Sequence, residues 1–200
     1  MVRNINIKLQ IIMSTTVTGE TLQIHNIDTA PEASKALLEK SKKSYGYVPN
    51  LHGALAGAPG LLEAYQTMHE LFMNSSFDND ELTVVWQTIN VEHECHYCVP
   101  AHTAIAKAMK VDDTIIAALR DKTPLANPKL EALRSMTLAL VRSRGVVSQE
   151  EITAFYEAGF NQRQLLEIIL GLSQKVISNY TNHIAETALD DAFKQFDWKN

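Results

Sequence analysis

The sequence has little of what would place it outside the ordinary folded proteins. Two cysteines in 200 residues cannot build the disulfide framework of a small secreted domain. Eight glycines and six prolines exclude collagen-like and low-complexity chains. There is no basic block: 18 Lys and Arg stand against 23 Asp and Glu, a net charge of −5. The electrostatic footprint for gripping a phosphate backbone is missing, so nucleic acid is not an expected partner. No apolar run reaches the roughly 18 residues that cross a bilayer, so no membrane partner is expected either. The N-terminal stretch Asn4–Ile11 alternates polar and apolar residues, unlike the continuous apolar core of a secretory signal. A cytoplasmic location is therefore expected, with Met13 as an alternative start to Met1. With 46% apolar and 20% charged residues, the chain can form one compact domain with a real core.

Beyond a polar arm ending near Thr29, the punctuation is helical. Pro31 suits a first turn, and Glu32 to Ser44 runs unbroken to Tyr45-Gly46. A long helix after Pro59 places Leu61, Tyr65, Met68 and Phe72 on one stripe. Met68, Phe72 and Met73 read as ordinary core there. Glu81 opens a helix that buries Leu82, Val85, Trp86 and Ile89. Ser148 with Glu151 forms a capping box for the helix from Gln149, which Gly159 ends. Leu165, Leu166, Ile168, Ile169, Leu170 and Leu172 are apolar nearly all round, which calls for enclosure by the domain or by a second subunit. Outside the arm no strand is expected; the class is all-α.

The chemistry is concentrated in Glu92-His-Glu-Cys95-His-Tyr-Cys98-Val-Pro-Ala-His102. Pro100 is tolerated only in a first turn, so a helix begins near Cys95 to Val99. Cys95, Cys98, His102, Ile105 and Met109 then share one face. An ordinary thiol is only ~3% thiolate at neutral pH, but a helix N-terminus or a neighbouring histidine draws the proton off. Cys98 has both aids, and Cys95 lies close enough to resolve an oxidised Cys98 as a disulfide. Three other readings stand beside this redox couple: a structural staple, a zinc site using Cys95, Cys98 and His102 with His93 or His96 as fourth ligand, or two buried apolar fillers. If the helix from Glu81 and the next one, starting near Cys95, form a hairpin, Glu81 lies about 17 Å down one arm and His102 about 13 Å down the other, at the helical rise. Glu81, His102 and Cys98 can then form a proton relay; alternatively Glu81 only favours its own helix N-terminus. His183 reads as a hydrogen-bonded core residue on the last helix, and Tyr97 and Trp86 as pocket walls or core. His52 and His69 carry no signal.

Glu81 followed by Cys95-His-Tyr-Cys98-Val-Pro-Ala-His102 resembles the signature of the alkylhydroperoxidase D-like (AhpD-like) group of the carboxymuconolactone decarboxylase superfamily. Softer support comes from Tyr45-Gly-Tyr-Val-Pro-Asn-Leu-His52 and Asn179-Tyr-Thr-Asn-His183. The resemblance implies an AhpD-like helical domain over residues 31–200, preceded by a partly extended or disordered arm at 1–30. It also implies assembly as a dimer, trimer or hexamer, and cofactor-free thiol peroxidase activity. Cys98 would be the peroxidatic thiolate, Cys95 the resolving thiol, and His102 and Glu81 the proton relay. A hydroperoxide would be the substrate, and a lipoyl group or thioredoxin-like protein the dithiol reductant. Tyr97 departs from the family's pattern, which has a histidine before the second cysteine, and the Glu81–Cys95 interval is longer than the commonest one. The alternatives in other functional classes are a metal-binding or sensing protein and a non-catalytic helical assembly subunit.

Overall fold

The structure is a computed structural model that describes residues 22–199. Among these residues every regular element is helical, as the sequence pattern requires. In chain order they are α1 (Glu32–Tyr45), α2 (Asn50–Leu55), α3 (Pro59–Met73), α4 (Asn79–Glu92), α5 (Cys98–Ala108), α6 (Asp113–Arg120), α7 (Pro128–Ser143), α8 (Gln149–Glu157) and α9 (Gln162–Ala185), closed by a 3-10 helix over Asp191–Phe196. The alternating stretch Asn4–Ile11 and Met13 lie outside the described residues. The described end of the arm is not helical, and it lies on α2, where the His25 N–H donates to the Gly53 carbonyl at 3.0 Å. Only a glycine admits this approach, since a Cβ at Gly53 would come within 2.5 Å of the His25 carbonyl oxygen.

Local chemistry sets the element boundaries. The expected Ser148–Glu151 capping box opens α8, and two more, Asp78–Glu81 and Asn161–Gln164, open α4 and α9. Each satisfies N–H groups that a helix start leaves orphaned. Helix α1 stops at Gly46, whose φ of +83° is the left-handed conformation a glycine adopts without cost.

Helix α4 is the axle. Every residue from Glu81 to Val91 is buried, because α5, α6, α7 and α9 all pack around it. The larger core runs through Phe72, Trp86, Ile89, Leu133, Phe155 and Ile168. A second cluster joins Leu38, Leu51, Leu55, Leu62 and Tyr65 to Cys95, Tyr97 and Cys98, so the thiol pair sits in the floor of a packed core. Truncating one of the buried aromatics would cost about 3–5 kcal/mol. Helices α3 and α9 approach through Gly171, where an added Cβ would lie 2.8 Å from the Phe72 ring.

Two faces differ from the sequence expectation. On α3 the inward stripe is Leu62, Tyr65 and Phe72, while Leu61 is exposed; both stripes fit a 3.6-residue period, and packing against α9 selects this one. On α9 the Leu165–Leu172 segment is enclosed on one side only: Ile168 is fully buried, but Leu166 and Ile169 remain 56% and 45% exposed.

Candidate active site

The connection between α4 and α5 turns at Glu94, with φ +53°, and the Cys95 N–H donates back to the Asn90 carbonyl at 3.0 Å. Cys98 is the first residue of α5, and its N–H donates to Cys95 Sγ at 3.3 Å. Both cysteines are free thiols and buried. A polar ladder fixes this turn. Asn179 donates to Asn90 Oδ1 at 3.0 Å; Asn90 donates to Gln87 at 3.1 Å and to the Cys98 carbonyl at 3.4 Å; Gln87 donates to the Val99 carbonyl at 3.1 Å. These buried groups are satisfied by one another, which rigidifies the start of α5.

The face of α9 that meets the thiols is polar: Gln174, Lys175, Ser178, Asn179 and Asn182 are all buried. Asn182 Nδ2 donates to Cys98 Sγ at 3.2 Å and lies 3.9 Å from Cys95 Sγ. Lys175, with no exposed surface, places its Nζ 2.6 Å from His102 Nε2 and 5.7 Å from the centroid of the Trp86 ring. Burial alone pushes the Cys98 thiol up, but hydrogen bonding from Cys95, the Lys175 charge and hydrogen bonds from Ser178 and Asn182 outweigh it and bring its pKa down to about 6. Cys95 moves the opposite way: its hydrogen bond to Cys98 and its burial both hold it as a thiol. Burial lowers Lys175 to about 8 against the opposing pull of the two cysteines. Burial, then Lys175 and His69, hold His102 neutral, well below the ordinary imidazole range. The protonated lysine therefore donates to His102 Nε2, which leaves the ring proton on Nδ1, a buried atom with no partner.

Cys98 is thus hydrogen-bonded to Cys95 and shares a cavity wall with His102, whereas Glu81 is not in contact with them. Its two carboxylate oxygens accept from the Asp78 N–H at 3.1 Å and from Lys129 Nζ at 2.7 Å. The group that meets His102 is a cation from α9, so the expected carboxylate–imidazole pair is replaced by an ammonium–imidazole pair. His93 is bonded to Asn179 and His96 to the Trp198 carbonyl, at 2.9 and 3.2 Å. Among the described residues no three His, Cys, Asp or Glu side chains converge as a metal site. His183 is exposed rather than core; the inward position in that turn belongs to Asn182.

Above Cys98 lies a small cavity of about 50 Å³ between Tyr45, His52, Tyr65, His69, Tyr97 and His102. It adjoins a wider one of about 270 Å³ that shares Tyr45, His52, Tyr65 and His69 and opens past Lys40 and Glu70. Burial lowers both His52 and His69 to about 4, so these walls are neutral at physiological pH. Gln174 accepts from the Trp86 N–H at 2.9 Å and offers its own N–H to His69 Nδ1 at 3.3 Å, which directs the His69 proton to Nε2. Tyr97 closes one side, its hydroxyl donating to Asp190, which in turn accepts from the Asn50 N–H at 3.1 Å.

No protein-family model and no curated protein matches the sequence. Solved structures match in shape. A peroxidase-related protein of Ralstonia eutropha JMP134, described as an alkylhydroperoxidase AhpD core, aligns with a TM-score of 0.75 at 18% identity, over 88% of this chain and 96% of that one. The fold is AhpD-like. A peroxidase-related protein of Silicibacter sp. TM1040 gives 0.68 at 18% identity, over 89% and 97%. A cysteine-to-alanine form of the debrominase Bmp8, in complex with 2,3,4-tribromopyrrole, gives 0.71 at 14% identity, over 89% and 96%.

Within this AhpD-like fold the sequence pointed to the thiols and His102 but not to Lys175, Asn182, His52 or His69. A lysine on a helix reads as a solvated position. The available signal was the Gly171–Lys175 step, which continues the buried stripe from Ile168 at helical spacing.

Proposed function

We propose that the chain is a thiol-dependent peroxidase, an oxidoreductase that uses Cys98 and Cys95 as its redox pair. The observation that carries this reading is the Cys98 sulfur at the start of α5, bonded by Asn182 at 3.2 Å and flanked by Cys95. The Cys98 thiolate attacks the terminal oxygen of a hydroperoxide and the O–O bond breaks. The alkoxide takes a proton from Lys175, directly or through His102, and Cys98 becomes a sulfenic acid. The Cys95 thiol then attacks that sulfur; water leaves and a disulfide forms. Two electrons pass to the hydroperoxide, and an external dithiol, lipoyl or thioredoxin-like, returns them. Glu81 serves this chemistry only by capping the helix that carries Trp86. The exposed stripe Leu166, Ile169, Tyr180 and Ile184 on α9 is the face we assign to a second copy in a homo-oligomer.

Intact-mass spectrometry of the reduced protein before and after one equivalent of cumene hydroperoxide tests the reading. A loss of two hydrogens, mapped to Cys95–Cys98 and absent in Cys98→Ser, is expected; an unchanged mass rejects it. The aromatic walls above Cys98 also favour a second reading, reductive dehalogenation of a halogenated aromatic. There two thiols become a disulfide while carbon–halogen becomes carbon–hydrogen and a hydrogen halide is released. The same mass measurement with 2,3,4-tribromopyrrole, alongside bromide detection, separates the two.

A further inference from the structure

The thiol pair has a second cavity that the chemistry above leaves without a task. It measures about 350 Å³ and is lined by Cys95, His96, Tyr97, Asn182, His183, Glu186 and Thr187. Cys98 is not among its walls, just as Cys95 is absent from the walls of the cavity between Tyr45 and His69. Tyr97, buried and tied to Asp190, lines both and so lies between them. Two residues of the second cavity's lining carry buried polar atoms with no partner in the protein. Asn182 is 4% exposed, and its Oδ1 has no partner although its Nδ2 is spent on sulfur; Thr187 Oγ1 is likewise buried and unpartnered. Orphaned acceptors of this kind in a cavity call for a ligand with a donor.

We infer that the pair is served through two separate mouths, the oxidant reaching Cys98 past His52 and His69, and a dithiol carrying a hydroxyl or amide N–H reaching Cys95 through the cavity between His96 and Thr187. This rests on the redox reading above and adds where the electrons come in. In the oxidised protein a thiolate of the dithiol attacks Cys95 Sγ; the disulfide breaks and its electron pair leaves on Cys98. The second thiol of the dithiol, deprotonated, then attacks the dithiol's own sulfur in the mixed disulfide. That step expels Cys95, which takes up a proton, and the dithiol departs as a cyclic disulfide. Attack at Cys95 is also the faster choice, because the sulfur with the lower pKa leaves more readily, and Cys98 is that sulfur. Asn182 bonds the departing Cys98 while its free Oδ1 receives the incoming donor.

The two half-reactions are measured apart by stopped-flow. Protein oxidised with diamide is mixed with dithiothreitol, whose hydroxyls supply the donor, and reduced protein is mixed with cumene hydroperoxide. His183 stands exposed at the rim of the second cavity, so His183→Trp should slow reduction at least tenfold and leave oxidation within twofold. Tyr45→Trp, at the first mouth, should do the reverse. Equal effects of either variant on both halves, or no effect of His183→Trp on reduction, overturn the two-mouth arrangement. Because diamide forms the disulfide without any hydroperoxide, failure of the peroxidase reading would show only in the oxidation arm and leave this test intact.

Discussion

Replacing Lys175 by methionine removes a buried positive charge that helps acidify Cys98 and keeps the volume of the stem. With a pKa of about 6, Cys98 is ~90% thiolate at pH 7 in the wild type. The Lys175 charge is among the influences that lower Cys98, and burial, the largest influence, pushes the other way; a nearby opposite charge lowers an acid by about 1–3 pK units. Losing the lysine should therefore lift Cys98 to roughly 7–9, with about 8 as the central value, and cut the thiolate at pH 7 about tenfold. The titration is followed by thiolate absorbance near ~240 nm and by iodoacetamide alkylation across pH, the two thiols reporting as a coupled pair. The wild-type hydroperoxide rate carries a second signature. It rises as Cys98 ionises near 6 and falls as Lys175 loses its proton near 8, whereas Lys175→Met should lose the alkaline fall. A Lys175→Met titration that stays within about half a pH unit of the wild type would refute the electrostatic argument.

Three further outcomes are expected. His52 and His69 have folded values near 4 against about 6.5 unfolded, so the unfolded chain binds their protons first and stability falls as pH drops from 6.5 towards 4. The loss is at most about 3 kcal/mol for each histidine, read as a falling urea midpoint between pH 7 and 4.5; a flat profile contradicts their burial as neutral groups. Glu81→Gln keeps an acceptor for the Asp78 N–H but loses the Lys129 pair; it should cost on the order of 1 kcal/mol of stability while the hydroperoxide rate stays within twofold, and a hundredfold slower rate would restore Glu81 to the relay. Leu166→Glu with Ile184→Glu should convert an oligomer to monomer in sedimentation velocity without unfolding it, the side chains being 56% and 69% exposed.

The legible parts of this sequence were those where one residue type has one physical use. Ser148 with Glu151 could only be a helix start, Pro100 could only lie in a first turn, and Cys98 with His102 had to share a helical face. Glu81 illustrates the limit. Its distance along the hairpin allowed a contact with His102, but a carboxylate three residues after Asp78 closes its own cap, a local bond that holds it there. The stripe on α3 was ambiguous because two registers share Tyr65 and Phe72, and the choice that turned His69 inward came from a partner helix about a hundred residues away. Lys175 was illegible for a related reason: what makes a buried lysine tolerable is the pair of cysteines and the imidazole it meets, and no local pattern announces that meeting.

Gly171 carries more of the chemistry than its missing side chain suggests. It lies one turn before Lys175 on the same face of α9, and the ring of Phe72 fills the space where its Cβ would stand, at 2.8 Å. A single methyl group there would force the Phe72 ring or the helix that carries Lys175 to shift. The Lys175 charge that lowers Cys98 is thus carried by a helix whose approach to α3 depends on a missing side chain, and a shift of that helix would detune the thiol while every reactive atom stayed in the chain.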